Sequence, residues 1–288
     1  MSSSNHTSVR LFNKITSSKN SILLTKSVKR KFYLILILFT PILIFPLNLI
    51  LPPSANHNAA SEINLLTKQP ANSYLNPSLG INGIETSISY LYQTKDLAFY
   101  NLHLNKSWNY LRFYCGNQFL GNSLYKENIT NLSIGYDLFE KLSIGLGIRN
   151  VFNKIKNYSE SNSLLLDFGM NWSSFPIKTA FSFRNITNSK IDEIDLGMHY
   201  IWETSYKINE NGILALQIEK ESNEDFIYKI GSSYRLFQKF LILSSYQYRP
   251  ARIGIGTEIT LSKAKFSYSV RTHRFLDLTH FIGVGYEL

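Results

Sequence analysis

The sequence predicts an all-β chain: a transmembrane antiparallel β-barrel of about 14 strands behind an N-terminal signal or apolar segment. Three observations point there. Apolar and polar residues alternate with a period of two, most clearly from Leu142 to Asn150. There Leu142, Ile144, Leu146 and Ile148 face one way and Ser143, Gly145, Gly147 and Arg149 the other. Tyr (18) and Phe (19) are abundant while charged residues are only 17%, below the roughly 25% of an average soluble domain. Mean hydropathy is nevertheless close to zero, because apolar residues are finely interleaved with polar ones, unlike the long blocks of a helical membrane protein. The repeated apolar faces exceed what a soluble core covers, and in lipid a sheet satisfies its backbone only by closing on itself.

The first sixty residues stand apart. The formal charge of +10 comes largely from Arg10, Lys14, Lys19, Lys26, Lys29, Arg30 and Lys31; without them 23 Lys/Arg face 20 Asp/Glu. No basic stripe remains to suggest a nucleic-acid partner. A Lys/Arg cluster, an apolar run from Phe32 to Leu51, then Pro and small residues resemble a secretory signal. An uncleaved apolar anchor is the competing reading, weakened by Pro41, Pro46 and Asn48. Residues 1–55 are therefore assigned to export or anchoring, with cleavage expected near Ala55 or Ser61. Cys115 is the only cysteine, which excludes an intrachain disulfide and a Cys-based zinc site.

Residues 56–83, with Pro70, Pro77, Gly80 and Gly83, read as an irregular periplasmic or plug segment, and residues 84–288 as the barrel. Ile84 to Tyr92 and Ala98 to Leu104 alternate as the first two strands, with a turn at Asn105 to Ser107. Trp108 to Cys115 is aromatic on both faces. Asn117 to Glu127 and Asn150 to Asn162 read as long polar loops on either side of the strands Leu132–Leu138 and Leu142–Ile148. Leu164, Leu166, Phe168, Met170 and Trp172 form a lipid-facing row. Rows beginning at Ile177, Ile194, Leu214, Phe226, Phe240, Ile253, Phe266 and His280 complete the count, with Pro250 falling between strands.

Connections after odd strands sum to about 50 residues and those after even strands to about 22. Barrels have short periplasmic turns and longer outer loops, so both barrel termini are expected in the periplasm. Aromatic residues near strand ends, among them Trp108, Trp172, Trp202 and Tyr248, suit interfacial girdles. A secreted sandwich or propeller would also alternate, but it needs neither lipid-length strands nor aromatic ends.

The segment Asn76 to Leu104, "NPSLGINGIETSISYLYQTKDLAFYNLHL", resembles the opening of barrels in the PorV/PorQ and FadL group. Asn76, Pro77 and Gly80 carry the match; Ser78 and Leu79 stand where that group commonly has Ala-Gly. The resemblance implies a non-enzymatic barrel of the bacterial outer membrane, in contact with its lipid and inserted by the barrel-assembly machinery. It implies a PorV/PorQ-type partner of protein secretion or surface attachment, or alternatively a FadL-like channel for small or hydrophobic solutes, with the lead-in segment as plug.

The parity opposite Leu142 and Ile144 should line the lumen. It holds Arg149, Asp167, Lys178, Arg184, Asp195, His199, Glu203, Lys229, Arg235, Arg252, Glu258, Lys265 and Arg271, with many glycines including Gly145, Gly147 and Gly169. Interspersed signs suggest internal ion pairs more than a selective filter. His199 shares a face with Asp195 and Glu203, but no Ser nucleophile or second His stands at a catalytic spacing, and no G-x-S-x-G, H-E-x-x-H or P-loop occurs. No catalytic residue, cofactor or metal is expected.

Overall fold

The computed structural model describes residues 51–94, 97–222 and 224–288. The export or anchor assignment falls mostly on residues 1–50 and lies outside the described residues. Sixteen strands follow in chain order: β1 (Gly83–Tyr90), β2 (Ala98–Trp108), β3 (Leu111–Gly121), β4 (Tyr125–Phe139), β5 (Leu142–Ile155), β6 (Ser159–Ser174), β7 (Ile177–Arg184), β8 (Lys190–Ile191), β9 (Ile194–Asp195), β10 (His199–Lys207), β11 (Gly212–Glu221), β12 (Ile227–Leu236), β13 (Phe240–Tyr248), β14 (Arg252–Leu261), β15 (Ala264–Arg271) and β16 (Thr279–Tyr286). All but β8 and β9 pair with their neighbours in a closed barrel, a transmembrane antiparallel barrel of fourteen strands. Closure is antiparallel between β1 and β16, from Ile84 opposite Tyr286 to Tyr90 opposite His280. Among the described residues the barrel sheet has no free edge.

The distribution of polarity decides between membrane and water. Outward positions are apolar and uncovered: Leu146, Ile148, Leu164, Ile255 and Ile282 are each about half exposed or more. Inward positions are polar and buried, with Asp167, Arg184, Glu203 and Lys229 at 3% exposure or less. A soluble sandwich has the opposite arrangement. Each outward Leu or Ile left in water would forfeit roughly 1.5–3 kcal/mol of burial, so the solvent of this face is hydrocarbon. Among the described residues no helix is long and apolar enough to cross a membrane; the strands cross.

Both barrel termini, Gly83 and Tyr286, lie at one end, called the terminal end. Connections there are short, two residues each at Asn109–Tyr110, Glu140–Lys141, Phe175–Pro176 and Ser262–Lys263. The far end carries Leu91–Leu97, Thr272–Leu278 and a longer excursion from Asn185 to Met198.

Three expectations about element limits are corrected. Asn117–Glu127 and Asn150–Asn162 are not loops: β3 runs to Gly121, β4 begins at Tyr125, and β5 and β6 meet in a tight turn at Lys156–Tyr158. β4, β5 and β6 span 15, 14 and 16 residues, more than the roughly ten that cross the apolar band. The Asn-, Ser- and Lys-rich ends are strand that stands beyond the lipid, where alternation of hydrophobicity has no reason to persist. The first tight turn is Asn109–Tyr110, with Asn109 at φ 53°, so Trp108 ends β2. Ile194 and Asp195 do not begin a barrel strand; they pair with Lys190 and Ile191 in the β8–β9 hairpin. That hairpin folds over the far mouth, where Ile191 and Leu196 pack on lumenal Val151 and Leu165.

Candidate functional site

The lumen is filled by the chain's own residues 51–82. A short helix α1 (Ala55–Ala59), a 3-10 turn (Asn64–Leu66) and a second helical turn α2 (Asn72–Leu75) thread the barrel, almost every residue buried. Both candidate cleavage points, Ala55 and Ser61, are built into this plug and are fully buried.

The plug is polar because its surroundings are. Asn56 donates to Glu258 at 2.5 Å, Asn58 to the Ser269 hydroxyl at 3.0 Å, and Asn64 to Glu203 at 3.0 Å, with the Leu65 amide on the second Glu203 oxygen at 3.1 Å. Lumenal His103 bridges the Pro53 carbonyl and the Tyr114 hydroxyl, each at 2.7 Å. Within the plug, His57 Nε2 lies 3.1 Å from Asn64 Oδ1, and Gln69 Nε2 donates to His57 Nδ1 at 2.6 Å. That pattern requires the neutral ring with its proton on Nε2. Burial lowers the His57 pKa to about 3, against the opposing Asn64 hydrogen bond.

Glu62 is the plug's anionic anchor. Its carboxylate meets Arg271 at 2.7 Å and Lys229 at 3.2 Å, Lys229 reaches Glu219 at 2.8 Å, and Arg271 donates to Gln247 at 2.6 Å. Burial alone would raise the Glu62 pKa; the two cations outweigh it and hold it at about 2.

At the other side of the plug, Tyr74 lies under two guanidinium groups, Arg149 at 4.8 Å and Arg184 at 5.7 Å from its ring centroid. Arg149 pairs with Asp167 at 2.5 Å and donates to the Tyr74 carbonyl at 3.2 Å, while Ser182 donates to the Leu75 carbonyl at 2.8 Å. Arg184 is fully buried, with Nε and one terminal nitrogen lacking a partner among the described residues.

The motif residues take the next position. Asn76 donates to the Phe181 carbonyl at 3.0 Å and accepts from the Ser78 amide and hydroxyl at 3.0 and 2.7 Å. Asn76–Ser78 rests on a row of three glycines in register across the wall: Gly135 on β4, Gly145 on β5 and Gly169 on β6. A Cβ on Gly145 would stand 2.7 Å from the Ser78 amide nitrogen and closer still to the Pro77 carbonyl. The glycines of "LSIGLGIRN" are the seat of the plug. Gly80 adopts φ +119°, a conformation that favours glycine, beside the Ser73 and Asn105 side chains where the plug turns toward β1.

Of the other positions expected in the lumen, Glu258 and Arg271 are buried, Glu203 holds the plug, and His199 lies 3.4 Å from Glu219. Lys265 pairs with Glu287 at 2.5 Å and donates to the Lys68 carbonyl. Arg252 and Arg235 are partly covered toward opposite ends, and Lys178 is exposed at the terminal end. Asp195 is elsewhere: it is exposed in β9, so the His199–Asp195–Glu203 face does not exist. Glu219, Gln217 and His103 were not among the expected lumenal residues, although Leu214, Leu216 and Ile218 facing out place Gln217 and Glu219 inward by the same alternation.

Outside the wall, opposite the glycine row, lies an apolar groove of about 780 Å³. Its floor follows one hydrogen-bond register across the barrel: Leu104, Cys115, Leu132, Ile148 and Leu166 are successive partners, and the Ile186 amide donates to the Leu166 carbonyl at 2.8 Å. A parallel row beside it begins at Lys106 and passes through Phe113, Ile134 and Leu146.

The same fold occurs in solved structures at very low identity. The CymD monoaromatic hydrocarbon channel superposes with a TM-score of 0.65 at 8% identity, over 82% of this chain and 97% of that one. A FadL homologue of Pseudomonas aeruginosa gives 0.59 at 9%, over 83% and 99%. The Pseudomonas putida toluene transporter TodX gives 0.58 at 9%, over 81% and 96%. No protein-family model matches the chain, and no curated protein matches its sequence.

Proposed function

We propose that this chain is a non-enzymatic barrel of the bacterial outer membrane that passes small apolar solutes, with residues 51–82 as the element that must shift to let them through. The supporting observation is its fold, shared along nearly the whole length of structures described as a hydrocarbon channel and a toluene transporter. A lumen packed with its own chain suits that role, because a standing aqueous pore would leak ions while a seated plug yields only to a specific event. The terminal end faces the periplasm, on the reasoning that short turns lie on that side.

The reading as a secretion or attachment partner rests on the opening motif with Asn76, Pro77 and Gly80, on the mixed lumenal charges and on the modest outer loops. In the structure the motif residues seat and turn the plug, work that either role requires. Uptake of radiolabelled toluene by cells expressing the full chain, against cells without it, separates the two. Faster uptake supports the channel; equal uptake, with an envelope protein co-purifying in fixed ratio, would replace it with the partner.

A further inference from the structure

We infer that the groove on the outer wall holds one acyl chain of a membrane glycerophospholipid, with the lipid phosphate at Lys106. The groove climbs as it crosses the barrel. Leu104 lies four residues above the terminal end of β2 at Trp108, whereas Ile186 lies nine residues above the start of β7 at Ile177. Five inter-strand spacings make a path about 24 Å long, and a five-residue climb on strands tilted near 45° makes about 12 Å of depth. That depth fits within the roughly 15 Å of hydrocarbon that one leaflet contributes. The path therefore has the length and slope of a single lipid tail descending from one interface.

Charge fixes which interface. Outward-pointing cations on the strands otherwise stand at the far end, as Lys126, Lys154 and Lys220 do. Lys106 points outward two residues from Trp108, at the low mouth of the groove, with no ion-pair or hydrogen-bond partner among the described residues. An ammonium facing lipid is stable when its stem lies along apolar surface and its head meets the interfacial phosphates. Cys115 supplies the depth: it is the smallest side chain on the floor, between Leu104 and Leu132.

The phospholipid assignment uses the orientation proposed above, in which the terminal end meets the phospholipid leaflet. Orientation is read separately, by accessibility of a tag in Thr272–Leu278 on whole cells, so failure of either idea is recognised alone. The test is lipid retention. Full-length protein is extracted in detergent, washed extensively, and its phosphorus content measured with native mass spectrometry. About one phospholipid per chain is expected; Cys115→Trp, which fills the floor, should retain several-fold less, and Lys106→Gln should lose lipid at lower detergent exposure. Heat-modifiable migration shows that each variant is folded, and if Cys115→Trp is not, Lys106→Gln carries the result. Wild-type protein free of phospholipid, or folded variants that retain as much as wild type, would overturn the inference. So would a disulfide dimer through Cys115 in native membranes, which would make a second copy the occupant.

Discussion

Gly145→Ala should unseat the plug while leaving the barrel closed. The new Cβ meets backbone: it falls 2.7 Å from the Ser78 nitrogen and nearer the Pro77 carbonyl, neither of which is the free end of a flexible side chain. Relief requires Asn76–Ser78 to lift from the wall, which strains the Asn76 bond to the Phe181 carbonyl. Overpacking of this kind costs about 1–3 kcal/mol, or about 5- to 150-fold in the open population. The barrel itself loses nothing, since alanine is compatible with an extended strand. Ala71→Cys, fully buried in the plug, reports opening in a Cys115→Ala background through its rate of maleimide labelling, which follows the open population when reclosure is fast. Gly285→Ala is the control, its Cβ finding nothing nearer than 3.7 Å. Equal labelling in Gly145→Ala and Gly285→Ala, with heat-modifiable migration intact and phospholipid retention unchanged in both, would refute the glycine row as the seat.

Glu62→Gln should raise the same labelling rate further. Breaking a buried pair costs about 3–5 kcal/mol, and the lower end applies because Lys229 keeps Glu219 and Arg271 keeps Gln247. Acid should act in the same direction. The His57 pKa is lowered to about 3 in the folded plug, so the His57 contribution to seating is complete above 6.5 and falls by about 1.4 kcal/mol per unit as pH drops toward 3; Glu62, held at about 2, adds its loss below 4.5. Between pH 6.5 and 5, labelling corrected against an exposed control cysteine should rise more steeply in wild type than in His57→Gln, the difference between the two slopes being the His57 contribution. Cys115 should react in membranes with a lipid-soluble maleimide and resist a charged one, because it faces outward from the wall; rapid reaction with the charged reagent would place this face in water.

Strand number and parity were legible because the membrane imposes them residue by residue: an outward position must be apolar, so Leu142 to Ile148 announces both its period and its hidden face. The rule has force only where there is lipid. Beyond the apolar band Asn150, Asn153 and Asn162 remain in β5 and β6 with no alternation to show it, which is why polar strand reads as loop. The β8–β9 hairpin misleads for the opposite reason. Ile191 and Leu196 are apolar because they cover Val151 and Leu165, not because they face lipid, so the Ile194 row imitates a staggered strand. The structure of the plug was not legible in the sequence. Its helical turns are too short to show a period, and its partners, such as Glu62 with Arg271 across 209 positions, are set by the closed barrel.

The wall that seats the plug and the wall that bears the groove are one sheet, and this links the two sites physically. Gly135, Gly145 and Gly169 remove side chains from the inner face of β4, β5 and β6, letting Asn76–Ser78 approach the strand backbone. Leu132, Ile148 and Leu166 lie on the outer face of the same strands. Closely packed sheets transmit strain, so a side chain added inside must displace either the plug or the floor of the groove. The two responses are distinguishable with variants already named. If Gly145→Ala raises labelling at Ala71→Cys and leaves phospholipid retention unchanged, the plug yields and the sites are independent. If labelling is unchanged and retention falls, the wall yields, and a lipid seated outside then stabilises a seated plug by the same free energy that the plug contributes to lipid binding.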